Sequence, residues 1–179
     1  MVGVMGEDAF EALVAAHHGE IHRYLVRVTG RASDGDDLSQ ETFLRAFRAH
    51  GALPADANVR AWLFAIATNL CRNHFRSEKR RRLAHAAVRA EPVTAELPRP
   101  DGEALVKETS LRVDMIVASL PPKQRLAFTM RKLHGLDYEA IGSSLHCSAD
   151  SARAHVFQAL RKIRRELGDL APSRTEPKR

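Results

Sequence analysis

Apolar side chains recur every three or four positions through most of the chain. Phe10, Leu13, Val14, Ile21, Tyr24, Leu25 and Val28 form one such stripe with His17, which predicts an amphipathic helix closed by Gly30. Ser33 to Asp37 then supplies turn and N-cap residue types, and a second stripe follows at Leu38, Phe43, Ala46 and Phe47. Residues 51–58 read as a loop whose last residue, Asn58, is placed to cap a third helix running from Val59 to about Arg82. That helix is apolar at Val59, Trp62, Leu63, Ile66 and Leu70, then turns basic from Arg72 to Arg82.

Residues 91–102 break the pattern. Pro92, Pro98, Pro100 and Gly102 stand among few large apolar side chains, and proline at that density cannot continue a helix. The chain is therefore expected to form two small domains, 8–83 and 103–170, joined by a flexible linker over 84–102 and ending in a disordered tail at 171–179. Helical periodicity resumes with Val113, Ile116 and Leu120, interrupted by Pro121-Pro122, where Pro122 suits the first turn of the next helix. Leu126, Met130 and Leu133 mark that helix, and Tyr138, Ile141 and Leu145 a short one. A turn at His146-Cys147-Ser148, capped by Ser148, leads into a last helix striped by Ala152, Val156, Ala159, Leu160, Ile163 and Leu167. No alternating strand pattern is present, so the fold class predicted is all-α.

A short helix, a tight turn and a longer amphipathic helix over 137–160 make the pattern of a helix-turn-helix. The polar face of the last helix carries Ser151, Arg153, His155, Gln158, Arg161 and Lys162, residue types that reach base edges and phosphates in a major groove. A helical hairpin with a solvated charged face would show the same spacing. Charge adds weight to the first reading: the 179 residues carry a net charge of +6, which favours a polyanionic partner. Trp62, Phe64 and Phe75 beside the arginines from Arg72 to Arg82 suit stacking on unpaired bases, although a basic helix end also favours its own dipole.

Other chemistry is weakly supported. His17, His18 and His22 hold an i, i+4 pair without a cysteine or carboxylate to complete a tetrahedral metal set. Asp34, Asp36, Asp37 and Glu41 lack the spacing of a calcium loop and fit helix capping better. Phosphate-cradling glycine loops and paired catalytic carboxylates are missing. No catalytic residue, metal or cofactor is expected. Cys71 and Cys147 are too far apart for a CxxC site, and free thiols suit a reducing cytosol. No apolar run approaches the roughly 20 residues that span a bilayer, and no secretory signal is evident. A cytoplasmic location without membrane insertion is expected.

Three blocks carry a family resemblance. Asp37-Leu38-Ser39-Gln40-Glu41-Thr42-Phe43-Leu44-Arg45-Ala46-Phe47 resembles region 2.2 of the extracytoplasmic-function sigma factors, the group IV members of the bacterial sigma-70 superfamily. Arg60-Ala61-Trp62-Leu63-Phe64-Ala65-Ile66-Ala67-Thr68-Asn69-Leu70 resembles their regions 2.3 and 2.4. Leu120-Pro121-Pro122-Lys123-Gln124-Arg125 and Tyr138-Glu139-Ala140-Ile141 resemble region 4.

The resemblance implies a subunit that binds core RNA polymerase through β and β′, recognises −35 and −10 promoter elements and promotes melting, under a cognate anti-sigma factor. Asp37, Gln40 and Glu41 match positions that dock on the clamp helices of β′. The loop Leu53–Arg60, with Asp56, Asn58 and Arg60, matches the segment that captures a base flipped from the −10 element. Trp62, Asn69, Arg72, Asn73 and Arg76 lie along the same DNA-facing stretch. Arg153, Ala154, His155, Phe157 and Gln158 match positions that read or flank the −35 element, with Ser151 and Lys162 on the same face. The chain departs from the pattern at His146, where glycine is usual, at Ser151-Ala152, where Thr-Val is common, and at Ala154 and His155. Two other readings remain: a stand-alone regulator using the same helix-turn-helix, which leaves the Asp37–Phe47 block without a purpose, and a metal-dependent hydrolase using the histidines.

Overall fold

A computed structural model of the chain describes residues 7–86 and 104–168. Of the expected linker over 84–102, residues 84–86 are the end of a helix and 87–102 lie outside the described residues, as does the tail at 171–179. Seven α-helices and one short 3-10 turn account for the secondary structure of the described residues, with no strand among them. They are α1 (Glu7–Thr29), α2 (Ala32–Ala49), α3 (Val59–Ala86), α4 (Ala104–Ser119), α5 (Pro122–Lys132), α6 (Tyr138–Leu145) and α7 (Ala149–Gly168), with the 3-10 turn at His50–Ala52.

The α1–α2 corner differs from the expected one. Ser33 to Asp37 is helix rather than turn, and α2 starts directly after Gly30-Arg31, where Gly30 takes φ 77°. No side chain caps the first turn of α2. Gly35 explains the tight hairpin better than a turn does. A Cβ there would stand 2.4 Å from the Val26 side chain and 2.9 Å from its backbone, so only glycine lets α2 lie this close to α1. The acidic residues expected to cap instead pair sideways. The His22 ring bonds Asp36 at 2.6 Å, and the His74 ring lies 3.6 Å from Asp34.

Other termini follow their sequence signals. Asn58 accepts the Ala61 amide at 2.9 Å, Pro122 opens α5, and Ser148 accepts the Ser151 amide at 3.1 Å. The α3 helix runs to Ala86, past the expected end near Arg82. Phe47, placed on the buried stripe of α2, is exposed and meets Phe10 edge-on at 5.2 Å.

Helices α1–α3 form one unit and α4–α7 another, yet the two share a core. One continuous buried cluster contains Tyr24, Leu25, Leu63, Phe64 and Ala67 from the first together with Leu126, Met130, Ile141 and Leu145 from the second. A smaller cluster of Ile116, Val117, Leu120, Phe128, Ala159 and Ile163 belongs to the second unit alone. The units meet where α6 crosses α3 and α5 lies against α1. Fully burying a large apolar side chain is worth about 1.5–3 kcal/mol, so this seam carries substantial stabilisation.

Polar contacts trim the seam. The buried Tyr24 hydroxyl bonds Thr68 at 2.8 Å, and Thr68 lies 3.6 Å from the Met130 sulfur. The thiol of Cys71 beneath it is pushed up to about 12 by burial. Arg125 closes the corner. Its guanidinium donates to the carbonyl of Val28 in the last turn of α1 and to those of Ala118 and Leu120 at the end of α4, and lies 5.3 Å from the Phe75 ring.

Candidate nucleic-acid interface

The second unit presents a geometrically complete helix-turn-helix. Asp137 caps α6 by accepting the Ala140 amide at 2.7 Å. His146 then takes φ 52° and ψ 54°, the left-handed conformation that glycine usually fills. Histidine tolerates it better than bulky or branched residues do, so this departure leaves the turn intact. Gly142 is indispensable, because a Cβ on it would stand 2.7 Å from the Cys147 carbonyl oxygen where the turn folds back over α6.

The turn aims α7 outward. Its buried face is Ala152, Val156, Ala159 and Ile163, while Ser151, Arg153, Ala154, Phe157 and Gln158 are exposed on the other. Phe157 is 64% exposed, unusual for a phenylalanine without a partner surface. Arg153 pairs with Asp150 at 2.9 Å and lies over the Tyr138 ring at 5.0 Å. Gln158 accepts from Gln124 at 2.9 Å. His155 is half-buried, and burial, helped by Lys123, holds its ring below the usual histidine range. Lys162 donates to the Ser119 carbonyl at 3.1 Å, so it stands at the edge of the open face.

The face centred on α3 is more enclosed. Asp56 and Asn58 are exposed in the loop and Leu53 is half-buried there. Arg60 is held at 2.9 and 2.5 Å by the two oxygens of Glu20, lies 5.3 Å from the Phe64 ring and donates to the His134 carbonyl of the other unit. The Glu20 carboxyl is held down to about 2, first by that Arg60 bond and then by His134, whose Nδ1 lies 3.1 Å away. Burial pulls the His134 ring below its ordinary value despite the carboxylate beside it.

One turn-face further along, Asn69 accepts from Arg72 at 3.4 Å and from the His146 ring at 2.9 Å. Asn73 and Arg76 continue this face in the open, beside Lys79 and Arg80, and with Leu83 they line a shallow basic depression of about 510 Å³. Trp62 is half-buried against the core. The aromatic reading of α3 needs correcting. Phe64 is fully buried and Phe75 lies under Arg125, so of the three aromatics only Trp62 remains for stacking on a base.

A third surface lies on α2. Asp37 and Gln40 are exposed, and Glu41 pairs with Arg45 at 2.6 Å. Leu44 and Phe47, 42% and 45% exposed, continue the same helical face. The sequence reading put Phe47 on the buried stripe and did not single out Leu44 as a surface residue. It also missed Glu20, His134 and Arg125, which join the units.

Comparison with known proteins agrees with this geometry. Residues 13–81 match the family model for sigma-70 region 2, and residues 110–163 that for sigma-70 region 4. The RNA polymerase sigma-H factor of Pseudomonas aeruginosa is 30% identical over 90% of this chain and 88% of its own. The extracytoplasmic-function RNA polymerase sigma-E factor of Escherichia coli is 29% identical over 92% of this chain and 89% of its own. Among solved structures, the sigma factor RpoE of Bartonella quintana, in complex with the anti-sigma factor NepR, superposes with a TM-score of 0.72 at 19% identity over 89% of this chain and 96% of the other. CnrH, in complex with the cytosolic domain of CnrY, superposes at 0.65 and 23% identity, covering 93% and 92%. On the two family models and the curated relatives together, the chain belongs to the extracytoplasmic-function group of the sigma-70 family of RNA polymerase sigma factors.

Proposed function

We propose that this sigma factor, a non-enzymatic subunit, docks on core RNA polymerase through α2, reads the −35 element as duplex through α7 and holds melted −10 DNA on the loop 53–60 and α3. The observation that carries the reading is the coexistence of an open helix-turn-helix face with a second basic, asparagine-bearing face on α3 and a separate acidic-apolar face on α2. A duplex-only regulator needs the first alone.

Region 2 spans 8–83 and region 4 spans 103–170, joined by 84–102 and followed by a tail at 171–179. Asp37, Gln40 and Glu41, extended by Leu44 and Phe47, form the polymerase surface. Leu53, Asp56, Asn58, Arg60, Trp62, Asn69, Arg72, Asn73 and Arg76 hold the −10 strand. Ser151, Arg153, Ala154, His155, Phe157, Gln158 and Lys162 meet the −35 duplex. Holding an extruded base offsets the few kcal/mol that unstacking costs, through pocket contacts and phosphate pairing. Both β and β′ are contacted, and a cognate anti-sigma factor, of the kind bound in the solved RpoE structure, competes for these faces. No helix among the described residues is long and apolar enough to cross a membrane. A factor that works on RNA polymerase and promoter DNA acts where they are, in the cytoplasm.

Run-off transcription with core polymerase on a randomised promoter library tests the function. The wild-type chain should direct specific starts, and Asp37→Ala with Gln40→Ala should lose them together with polymerase capture while keeping the fold. Starts that do not depend on the added chain would refute the reading.

A further inference from the structure

The edge of the α7 face nearest α5 carries chemistry that the helix-turn-helix itself does not use. Gln124, in the first turn of α5, donates to Gln158 at 2.9 Å, so that turn borders the surface assigned to the −35 duplex. Lys123 stands next to it. It is exposed and, among the described residues, has neither an ion pair nor a hydrogen bond. Arg153 and Lys162 differ, since they already answer to Asp150 and Glu166.

Lys123 also runs against its local surroundings. The start of a helix carries partial positive charge and favours acidic side chains. The first turn of α5 has no acidic residue and no side-chain cap, and holds a lysine instead. A residue that breaks a local preference without a compensating partner marks a place where function sets the choice. An anion beside Lys123 would supply that partner.

The ring of His155 feels the same charge from the α7 side. Its Nδ1 is sealed from water and has no hydrogen-bond partner, which leaves Nε2 as the nitrogen open to solvent. Among the described residues, the charge that bears on this ring is that of Lys123 on α5, with none from α4 or α6. A second proton would have to sit on Nδ1, as a buried N–H with no acceptor and an ammonium nearby. Both conditions oppose it, because an orphaned buried donor forfeits its hydration and like charges repel. For the same reason the proton of the neutral ring belongs on Nε2. His155 is built as an uncharged donor facing solvent.

An unpaired cation and a neutral donor side by side suit different parts of a duplex. An ammonium meets phosphate oxygens as a point charge and releases a counterion. A neutral N–H bonds an acceptor, such as a purine N7 or a thymine O4 in the major groove, without that release. We propose that the −35 surface runs from α7 onto the first turn of α5, where Lys123 grips a backbone phosphate while His155 reads an acceptor on the duplex through a neutral Nε2–H. This rests on the reading of α7 as the −35 reader.

The test uses the full chain assembled with core polymerase, on a duplex promoter fragment selected by run-off transcription. Fluorescence anisotropy reads binding over a range of salt concentrations, at pH 8 and at pH 6. Lys123→Ala should weaken binding and lower the slope of log affinity against log salt by about 1. His155→Gln keeps a neutral donor and should stay within about twofold of wild type, whereas His155→Ala should lose about fivefold, both with the slope unchanged. His155→Arg should steepen the slope by about 1. The change in affinity from pH 8 to pH 6 should be the same in wild type and in His155→Gln. If His155→Ala loses helix by circular dichroism, His155→Gln and the pH comparison carry the test of the ring. An unchanged slope in Lys123→Ala, or affinity that rises on acidification in wild type and not in His155→Gln, would overturn the proposal and leave α7 as the −35 reader. A holoenzyme that binds the fragment no better than core polymerase alone would overturn that reading itself.

Discussion

The two faces proposed to meet nucleic acid are held in place by opposite means. The α7 face is local: a turn of a few residues, a serine cap and one glycine orient it, and its polar side chains point into solvent. The α3 face is assembled at long range. Glu20 reaches it from α1, and His134 and His146 reach it from the other unit. A reader of duplex DNA can be built once and left open. A reader of single strands exposes stacking and bonding surface, and here Asn69 and Arg60 on the α3 face are bonded to groups of the other unit.

The largest expected effect probes the shared core. Met130 is fully buried beside Thr68. Met130→Ala should cost about 2–5 kcal/mol by urea denaturation, in the range for truncating a buried large side chain. A loss below about 1 kcal/mol would mean that the site is not buried in solution, and the contrast between an open and a covered face would fall with it.

Next comes the division of labour. Arg153→Ala should weaken −35 duplex binding by about 1–3 kcal/mol and leave initiation from a pre-melted bubble largely intact. Asn69→Ala should spare duplex binding and impair opening of the −10 region. A gel shift with −35 duplex beside permanganate footprinting separates them, and equal failure of both variants in both assays would erase the distinction.

The third prediction is a pH dependence centred on the covered face, to which the half-buried His155 on α7 adds in the same direction. His134 has its protonation disfavoured by burial, and Glu20 has its ionised form favoured by Arg60 and His134. Both values lie below their unfolded ones. Each group therefore contributes stability that is present above the unfolded value and lost as pH falls, below about 6.5 for His134 and below about 4.5 for Glu20. Arg23 and Arg60 also face His134 and oppose its protonation. Tm should drop between pH 7 and pH 5, and His134→Phe should flatten that slope. An unchanged slope would show that this histidine does not couple to folding.

The smallest effect is expected at His146. Glycine there should relieve a left-handed strain of about 1–2 kcal/mol but lose the bond to Asn69, leaving the full chain within about 1 kcal/mol of wild type. The −35 gel shift should be unchanged. A weakened shift would mean that the histidine orients α7 as well as covering Asn69.

Legibility in the sequence follows the same split. The helix-turn-helix could be read from its spacing, because Ser148 and the α7 stripe act within a few positions of one another; the cap at Asp137 and the close approach at Gly142 are as local but emerged only from the structure. Asn58 and Pro122 announced their helices for the same reason. The start of α2 was misjudged because Ser33-Asp34-Gly35 has turn composition, whereas Gly35 answers to Val26 across a hairpin. Phe64 looked like a stacking platform because periodicity cannot tell which side of a long helix will be roofed by a second unit. The seam itself had no local signal: Glu20 and His134 are 114 positions apart, and Asn69 and His146 are 77 apart.

The seam's composition has a consequence for how ionic strength acts. Its centre is apolar, and salt does not weaken such contacts. On the proposed assignment, promoter binding depends on phosphates meeting the arginines of α3 and α7, and every phosphate neutralised makes affinity fall more steeply with added salt. Packing between the units and binding to DNA therefore respond to ions unequally: added salt is expected to weaken the second and to leave the apolar part of the first in place.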